Sequence, residues 1–136
     1  MAISSLTRAK QQYLEQQVAS AAPERLLTML YDRLLVDIDR AAAAQEHSDW
    51  ASAGGHLTHA QSIVTELNAS LTDAWSGSEE LRGIYIYLHA RLVAANIGRD
   101  SAATAESRAI VAPLRDAWHQ AAAISQPSSA LLRATS

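Results

Sequence analysis

Two of the five histidines, His56 and His59, stand three residues apart. In a helix this spacing brings both imidazoles to one face, where they could contribute to a metal site. The HExxH pattern of zinc hydrolases is not formed, because Leu57 and Thr58 are the residues between them. A pair of histidines is not by itself a site, and exposed polar side chains are the simpler interpretation. We therefore expect no metal here.

His56 also suggests a second chemistry, the transfer of a phosphoryl group. His56 followed by Leu57 weakly resembles the phosphotransfer domains that carry an accepting histidine on a four-helix bundle. Those domains have lysine and glycine just downstream, where this chain has His59 and Ala60. A histidine phosphotransfer module using His56 remains the alternative hypothesis.

Other reactive groups are not indicated. The chain has no cysteine, which excludes disulfides and thiolates, and it contains no glycine-rich phosphate loop. No spacing suggests a serine, histidine and aspartate triad, although such a triad could assemble in space. We expect a protein that is not an enzyme and has no cofactor.

Charge and composition limit the partners. The formal net charge is −3 and the basic residues are spread along the chain, so the basic patch that nucleic acid requires is absent from the sequence. The stretch Met1–Val18 is polar, and no apolar run reaches the roughly 18 residues of a membrane span. We expect a cytoplasmic protein that inserts into no membrane and is a monomer or a weak homodimer.

The elements that would position these residues are helices. At 136 residues the chain fits one domain, and apolar residues recur at steps of three and four in four segments. The pattern predicts helices over about 23–46, 49–71, 78–97 and 100–123. The fold class is then all-α, an antiparallel up-and-down four-helix bundle over 23–124. Residues 1–22 would form an N-terminal arm and 125–136 a flexible tail.

Local signals mark the ends of these helices. Ser48 or Asp49 is expected to cap the second helix, Ser76 or Ser78 the third, and Asp100 or Ser101 the fourth. Gly98 suits a left-handed residue that closes the third helix. In the fourth helix the seam is predicted through Ile110, Leu114, Ala117 and Ala121, with a kink where Pro113 interrupts it. Gly54 and Gly55 predict either a close helix approach or a hinge.

A longer match indicates a family. The run Pro23 to Asp32 reads Pro-Glu-Arg-Leu-Leu-Thr-Met-Leu-Tyr-Asp, which resembles the opening helix of the flagellin-specific export chaperones, the FliS family. Three further groups follow in the family's order: Glu66-Leu67-Asn68, Tyr85 to Asn96, and Asp116-Ala117-Trp118. The likeness covers roughly residues 13 to 121. Departures from the family pattern stand at Ala22, Arg33 and Pro113.

The resemblance implies a function and a set of contacts. Members of the family bind the disordered C-terminal segment of flagellin, which prevents its premature polymerisation, and deliver it to the flagellar type III export apparatus. The flagellar export gate protein would be a second partner. By this resemblance the client-binding residues would be Tyr13, Val18, Leu30, Leu67, Tyr87, Arg91, Leu92 and Asn96.

Alternatives remain for several of these residues. Tyr87, Arg91 and Asn96 could instead form a structural hydrogen-bond network, and the three leucines could belong to the core. The arm that carries Tyr13 and Val18 could be displaced by the client or be permanently docked. A self-associating helical adaptor is a third possible function.

Overall fold

The computed structural model describes residues 23–71 and 77–124. In these ranges the chain forms four helices, α1 (Pro23–Glu46), α2 (Trp50–Ala69), α3 (Ser78–Ile97) and α4 (Ser101–Ile124). Helices α1 and α3 each pack against both α2 and α4. This arrangement, with short connections, is the all-α four-helix bundle that the periodicity predicted. The arm, the tail, Tyr13 and Val18 lie outside the described residues.

The core lies along the bundle axis, and its residues on α1, α2 and α3 recur at the steps of three and four from which the helices were predicted. On α2 the buried side chains include Ala53, Leu57, Ala60, Val64 and Leu67. On α3 they are Ser78, Leu81, Tyr85, Leu88, Leu92 and Ala95. On α1 they are Leu27, Thr28, Tyr31, Leu34, Asp37, Ile38, Ala41 and Gln45. Each set repeats at steps of three and four, so each helix buries one face.

A second apolar stripe on α1, and another on α3, are not buried. Met29 and Val36 are 52% and 39% exposed, and on α3 Ile86 and Ile97 are 59% and 80% exposed. A four-helix ring covers one face of each helix, so a second stripe faces outward. In the described ranges, every helix falls short of the length and apolar character needed to cross a membrane.

Two helix starts are capped by aspartate. Asp49 accepts a hydrogen bond from the amide of Ser52 at 3.2 Å, and Asp100 accepts from the amides of Ala102 and Ala103. These carboxylates satisfy first-turn amides that have no helical acceptor. The start of α3 differs from the expectation, because Gly77 occupies the cap position without a side-chain bond and Ser78 is buried within the helix.

The turn after α3 also differs from the expectation. Gly98 has φ −90°, which is not left-handed, and the residue with positive φ is Arg99 at 50°. A side chain at Gly98 would place its Cβ 3.0 Å from the carbonyl oxygen of Ala94. The glycine therefore permits a close backbone approach, and the left-handed conformation falls on the next residue.

Helix α4 differs from the expectation in the position of its buried face. Ala117 and Ala121 are exposed, and the buried residues are Ala103, Thr104, Ser107 and Val111. Thr104 and Ser107 can be buried because their hydroxyls donate to carbonyl oxygens one turn earlier. Pro113 lies inside a helix that continues to Ile124, so it does not end the helix. A bend at Pro113 stays a prediction.

Candidate functional site

An open groove lies between α3 and α4. Its volume is about 590 Å³, and it is lined by Glu80, Gly83, Ile84, Tyr87, Ala109, Ile110, Pro113 and Leu114. On α3 these residues stand at steps of three and four, which places them on one face of the helix. Ile110 and Leu114 also pack against the core, so the floor of the groove is the outer side of the core. The groove is mostly apolar.

Small residues keep the groove open. Gly83 is exposed, and a Cβ added there would meet no atom within 4 Å. Across the groove, Ala109 and Pro113 present little side-chain bulk. Pro113 has no amide hydrogen, so the carbonyl oxygen of Ala109 lacks its regular helical donor. The groove therefore has an apolar floor, and no large side chain closes it at these three positions.

A polar cluster holds one end of the groove. The Tyr87 hydroxyl donates to Glu106 Oε2 at 2.5 Å, and Arg91 Nε donates to Glu106 Oε1 at 2.9 Å. The hydrogen bond from Tyr87, then that from Arg91 and its positive charge, lower the pKa of Glu106, and the same bond raises the pKa of Tyr87. The Glu106 carboxylate on α4 thus holds the half-exposed Tyr87 ring in place at the rim of the groove.

The predicted client residues that the structure describes do not lie on one surface. Tyr87 lines the groove, and Arg91 stands beside it through Glu106. Leu67 and Leu92 are fully buried, and Leu30 packs against the core from α1. Asn96 lines a different pocket, at the end of the bundle where the α1–α2 and α3–α4 turns meet. Of the apolar residues that line the groove, Ile110 and Leu114 were predicted from the sequence as seam residues.

His59 contacts an acidic residue that the sequence spacing did not suggest. His59 hydrogen-bonds to the fully buried Asp37 of α1, and its own side chain is about half exposed. Asp37 also lies 3.3 Å from Arg33 Nε. Among the residues with described positions, no group of three or more histidine, aspartate or glutamate side chains could hold a metal ion. His59 and Asp37 therefore join α1 to α2.

A second ion cluster joins α1 to α4. Asp32 Oδ1 accepts from Arg115 Nε at 2.6 Å and from His119 Nε2 at 2.8 Å. Burial alone would raise the pKa of Asp32, but the bonds from His119 and Arg115 outweigh it and lower the pKa. The spacing of α4 places both donors on one face one turn apart, yet their acceptor is 83 residues away in sequence from Arg115. Periodicity alone could not identify it.

The two neighbouring glycines of α2 differ. A Cβ at Gly54 would come within 3.2 Å of Asn96 Oδ1, so this glycine permits the close approach of α3. Gly55 has nothing within 4 Å and is exposed. The predicted close approach therefore holds for one of the two residues.

The fold and the groove define a class, a four-helix-bundle protein with an apolar groove on its surface. The comparisons identify the family. The family model of the flagellar protein FliS matches residues 6–125. The chain therefore belongs to the FliS family of flagellar secretion chaperones, which is not an enzyme class.

Similar proteins are found in several bacteria. The flagellar secretion chaperone FliS of Bacillus subtilis is 38% identical over 109 residues, which cover 80% of this chain and 82% of the relative. That of Escherichia coli is 30% identical, covering 79% and 81%. A crystal structure of a bacterial flagellar chaperone superposes with a TM-score of 0.69 at 15% identity, covering 85% of this chain and 95% of the other. This last likeness supports the fold alone.

Proposed function

We propose that this chaperone binds the disordered C-terminal segment of flagellin and keeps it from polymerising before export. The observation that carries the proposal is the apolar groove between α3 and α4 in a chain of the flagellar secretion chaperone family. The client would dock as an amphipathic helix, with its apolar stripe against Ile84, Ile110 and Leu114.

The chemistry of the groove suits such a client. A segment that assembles through apolar stripes would otherwise pair with further copies of itself. Ordering a disordered segment costs on the order of 2–5 kcal/mol or more, so its contact with the chaperone must be wide. A groove of about 590 Å³ holds only part of that contact. The client would therefore extend beyond the groove, and the exposed Met29, Val36 and Ile86 are apolar residues available for it.

Residue roles follow from position. Tyr87 would contact the client at the rim, and Arg91 would act through Glu106 by holding that ring in place. Because Leu67 and Leu92 are fully buried, their role in this conformation is to support the bundle. We further propose, from the family resemblance, that Tyr13 and Val18 of the arm cover part of the client surface until the client arrives.

The proposals for the cellular location and for a second partner depend on the family resemblance. A chaperone that acts before export would work in the cytoplasm. Its loaded complex would then meet the flagellar export gate protein, which we propose as the second partner.

Calorimetry with purified components tests the proposal. The chaperone is titrated with intact flagellin and with flagellin that lacks its C-terminal segment, under conditions that keep flagellin monomeric. We expect a 1:1 complex with a Kd of micromolar or below for the intact protein and no heat for the truncated one. Equal binding of both forms would exclude the C-terminal segment as the client.

A further inference from the structure

The two ends of the α3–α4 groove differ. One end is bounded by the polar cluster of Tyr87, Arg91 and Glu106, and the other lies at Glu80, near the start of α3. Because α3 and α4 are antiparallel, the start of α3 is at the same end of the bundle as the last residues of α4. The chain therefore continues beyond Ile124 from the end of the bundle toward which the groove is open.

The residues after Ile124, the tail, have a composition that suits the groove. Residues 125–136 read Ser-Gln-Pro-Ser-Ser-Ala-Leu-Leu-Arg-Ala-Thr-Ser. The two large apolar residues, Leu131 and Leu132, are adjacent, and Arg133 follows them directly. No acidic residue occurs in this sequence. The tail thus offers two leucines and one positive charge at three consecutive positions.

The tail is long enough to bring its leucines into the groove. Leu114 stands ten residues before Ile124, a distance of about 15 Å along the helix. The seven residues from Ile124 to Leu131 span up to roughly 23–25 Å when extended. Leu131 can therefore reach Leu114 with chain left for the reversal of direction. The turns at the opposite end of the bundle, about 35 Å from Ile124, are beyond its reach.

Charge favours the groove over the exposed apolar residues of α1. Glu80 is the charged residue of the groove lining, and no basic side chain among the described residues forms an ion pair with it. Arg133 would bring a guanidinium to this carboxylate. On α1 the exposed Met29 stands between Arg25 and Arg33, each four residues away on the same face. These two arginines would repel the positive charge of the tail.

Docking within one chain needs little affinity. A segment tied to its site by a short flexible linker is present at an effective concentration on the order of millimolar. A contact too weak to hold a free peptide can therefore keep the groove occupied. The same contact is weak enough to be displaced by a client that covers a wider surface.

We propose that Leu131 and Leu132 occupy the α3–α4 groove of their own molecule when no client is bound, with Arg133 paired to Glu80. The leucines would cover the partly exposed apolar floor of the groove. The docking itself assumes nothing about the client. Its consequence rests on the proposed function, because flagellin would then have to displace the tail before it binds in the groove.

Paramagnetic broadening in the full chain tests the docking without flagellin. The chain has no cysteine, so Ala134→Cys gives one attachment point for a nitroxide spin label beside Arg133. In the ¹⁵N-labelled protein we expect strong broadening of the amide of Gly83, in the groove, and little at Gly55, which is exposed on α2. Changing both leucines to serine should remove the difference. Equal broadening of the two glycines, or broadening at Gly83 that survives the leucine changes, would overturn the proposal.

Mixed samples distinguish one molecule from two. Spin-labelled chain without ¹⁵N is mixed with ¹⁵N-labelled chain that carries no spin label. Broadening at Gly83 should then be absent, since only the tail of another molecule could cause it. Broadening of the same size in the mixture would assign the groove to a second copy and overturn docking within one chain.

Charge reversal tests the ion pair. Glu80→Arg should weaken the broadening at Gly83, and adding Arg133→Glu should restore it. Glu79→Arg is the matched control, because Glu79 is the exposed neighbour that does not line the groove. Equal effects of the two glutamate substitutions would reduce the interaction to net charge and contradict the pairing.

Calorimetry with flagellin tests the consequence. The chain with both leucines changed to serine should bind flagellin about two- to tenfold more tightly than the unchanged chain, because its groove is always free. Equal affinities, together with broadening at Gly83, would place the tail and the client on different surfaces and contradict the competition. Absence of flagellin binding by both chains would contradict the proposed function alone, and the broadening would still decide whether the tail docks.

Discussion

The hydroxyl groups of Tyr31 and Tyr85 hydrogen-bond to each other across the centre of the bundle. Tyr31 comes from α1 and Tyr85 from α3, two helices that face each other diagonally, and both side chains are almost fully buried. Trp118 of α4 lies beside them, with its ring 6.3 Å from that of Tyr31. Three helices therefore meet at one polar contact inside an apolar core.

Removing one of the two hydroxyls should lower the free energy of unfolding more than removing both. Tyr31→Phe leaves the Tyr85 hydroxyl buried without this partner, so we expect a loss of about 1–3 kcal/mol in unfolding free energy. The double variant, with Tyr85→Phe added, leaves no orphaned hydroxyl and should recover part of that loss. Urea unfolding of the two single variants and the double variant measures the coupling. Strict additivity of the two substitutions would show that the hydroxyls do not support each other.

The same pair should make the bundle sensitive to alkali. Burial, which is the largest cause, raises the pKa of Tyr31 to about 12 and raises that of Tyr85 as well. The folded chain then keeps two phenol protons that the unfolded chain releases above about pH 10. The stability that these two protons contribute is therefore fully present below about pH 10. Between pH 10 and 12 the free energy of unfolding falls by about 2.7 kcal/mol per pH unit for two protons.

Urea unfolding between pH 8 and pH 11.5 measures this slope. In the double phenylalanine variant the fall should be much shallower over the same range, because neither buried phenol remains. An equally steep fall in that variant would place the alkaline sensitivity elsewhere in the chain.

Gly83 and Gly55 provide a matched test of the groove. Both are exposed, and a Cβ added at either would have no atom within 4 Å, but only Gly83 lines the groove. Each change to glutamine should stabilise its helix by about 0.5–1 kcal/mol. Gly83→Gln also places an amide in the path of the client, and burying it without a partner costs about 1–3 kcal/mol, or roughly 5- to 150-fold in affinity.

Calorimetry with flagellin, together with thermal unfolding, separates the two effects. Gly83→Gln should lose affinity without losing stability, and Gly55→Gln should keep its affinity. Unchanged binding by Gly83→Gln would exclude the α3–α4 groove as the docking surface.

Tyr87 and Ile86 allow a second comparison on α3. Their exposed fractions are similar, 49% and 59%, yet Tyr87 lines the groove and Ile86 does not. Tyr87→Ala should weaken flagellin binding about tenfold or more, since an aromatic ring that lines the groove and is covered by the client is the kind of side chain that contributes most to binding. Ile86→Ala should change the affinity by a smaller factor. A larger effect of Ile86→Ala would shift the main contact toward the α2 side of α3.

The sequence predicted the fold because the core uses large apolar residues at regular spacing. Leu81, Tyr85, Leu88 and Leu92 read as one stripe and are buried as one stripe. The prediction of the buried residues was wrong on α4, where small polar residues are buried. Thr104 and Ser107 were not counted, because their hydroxyls become satisfied only once the helix forms.

The groove could not be located in the same way. Periodicity identifies the buried face of a helix, but which neighbouring pair of helices stays apart depends on side-chain volume across the gap. Here Gly83 and Pro113 lie on opposite walls of the groove. The spacing of residues within α3 does not indicate which residues of α4 will face them. Contacts such as Asp37 with His59 depend in the same way on the register between helices.

Site-specific crosslinking tests most directly whether the groove holds the end of flagellin. The chain has no cysteine, so Gly83→Cys creates a single attachment point for a benzophenone maleimide, with Gly55→Cys as the control. After irradiation with intact flagellin, mass spectrometry should locate crosslinks from position 83 in the C-terminal segment of flagellin and few or none from position 55. Crosslinks from position 83 to other parts of flagellin, or equal yields from both positions, would contradict the proposed docking.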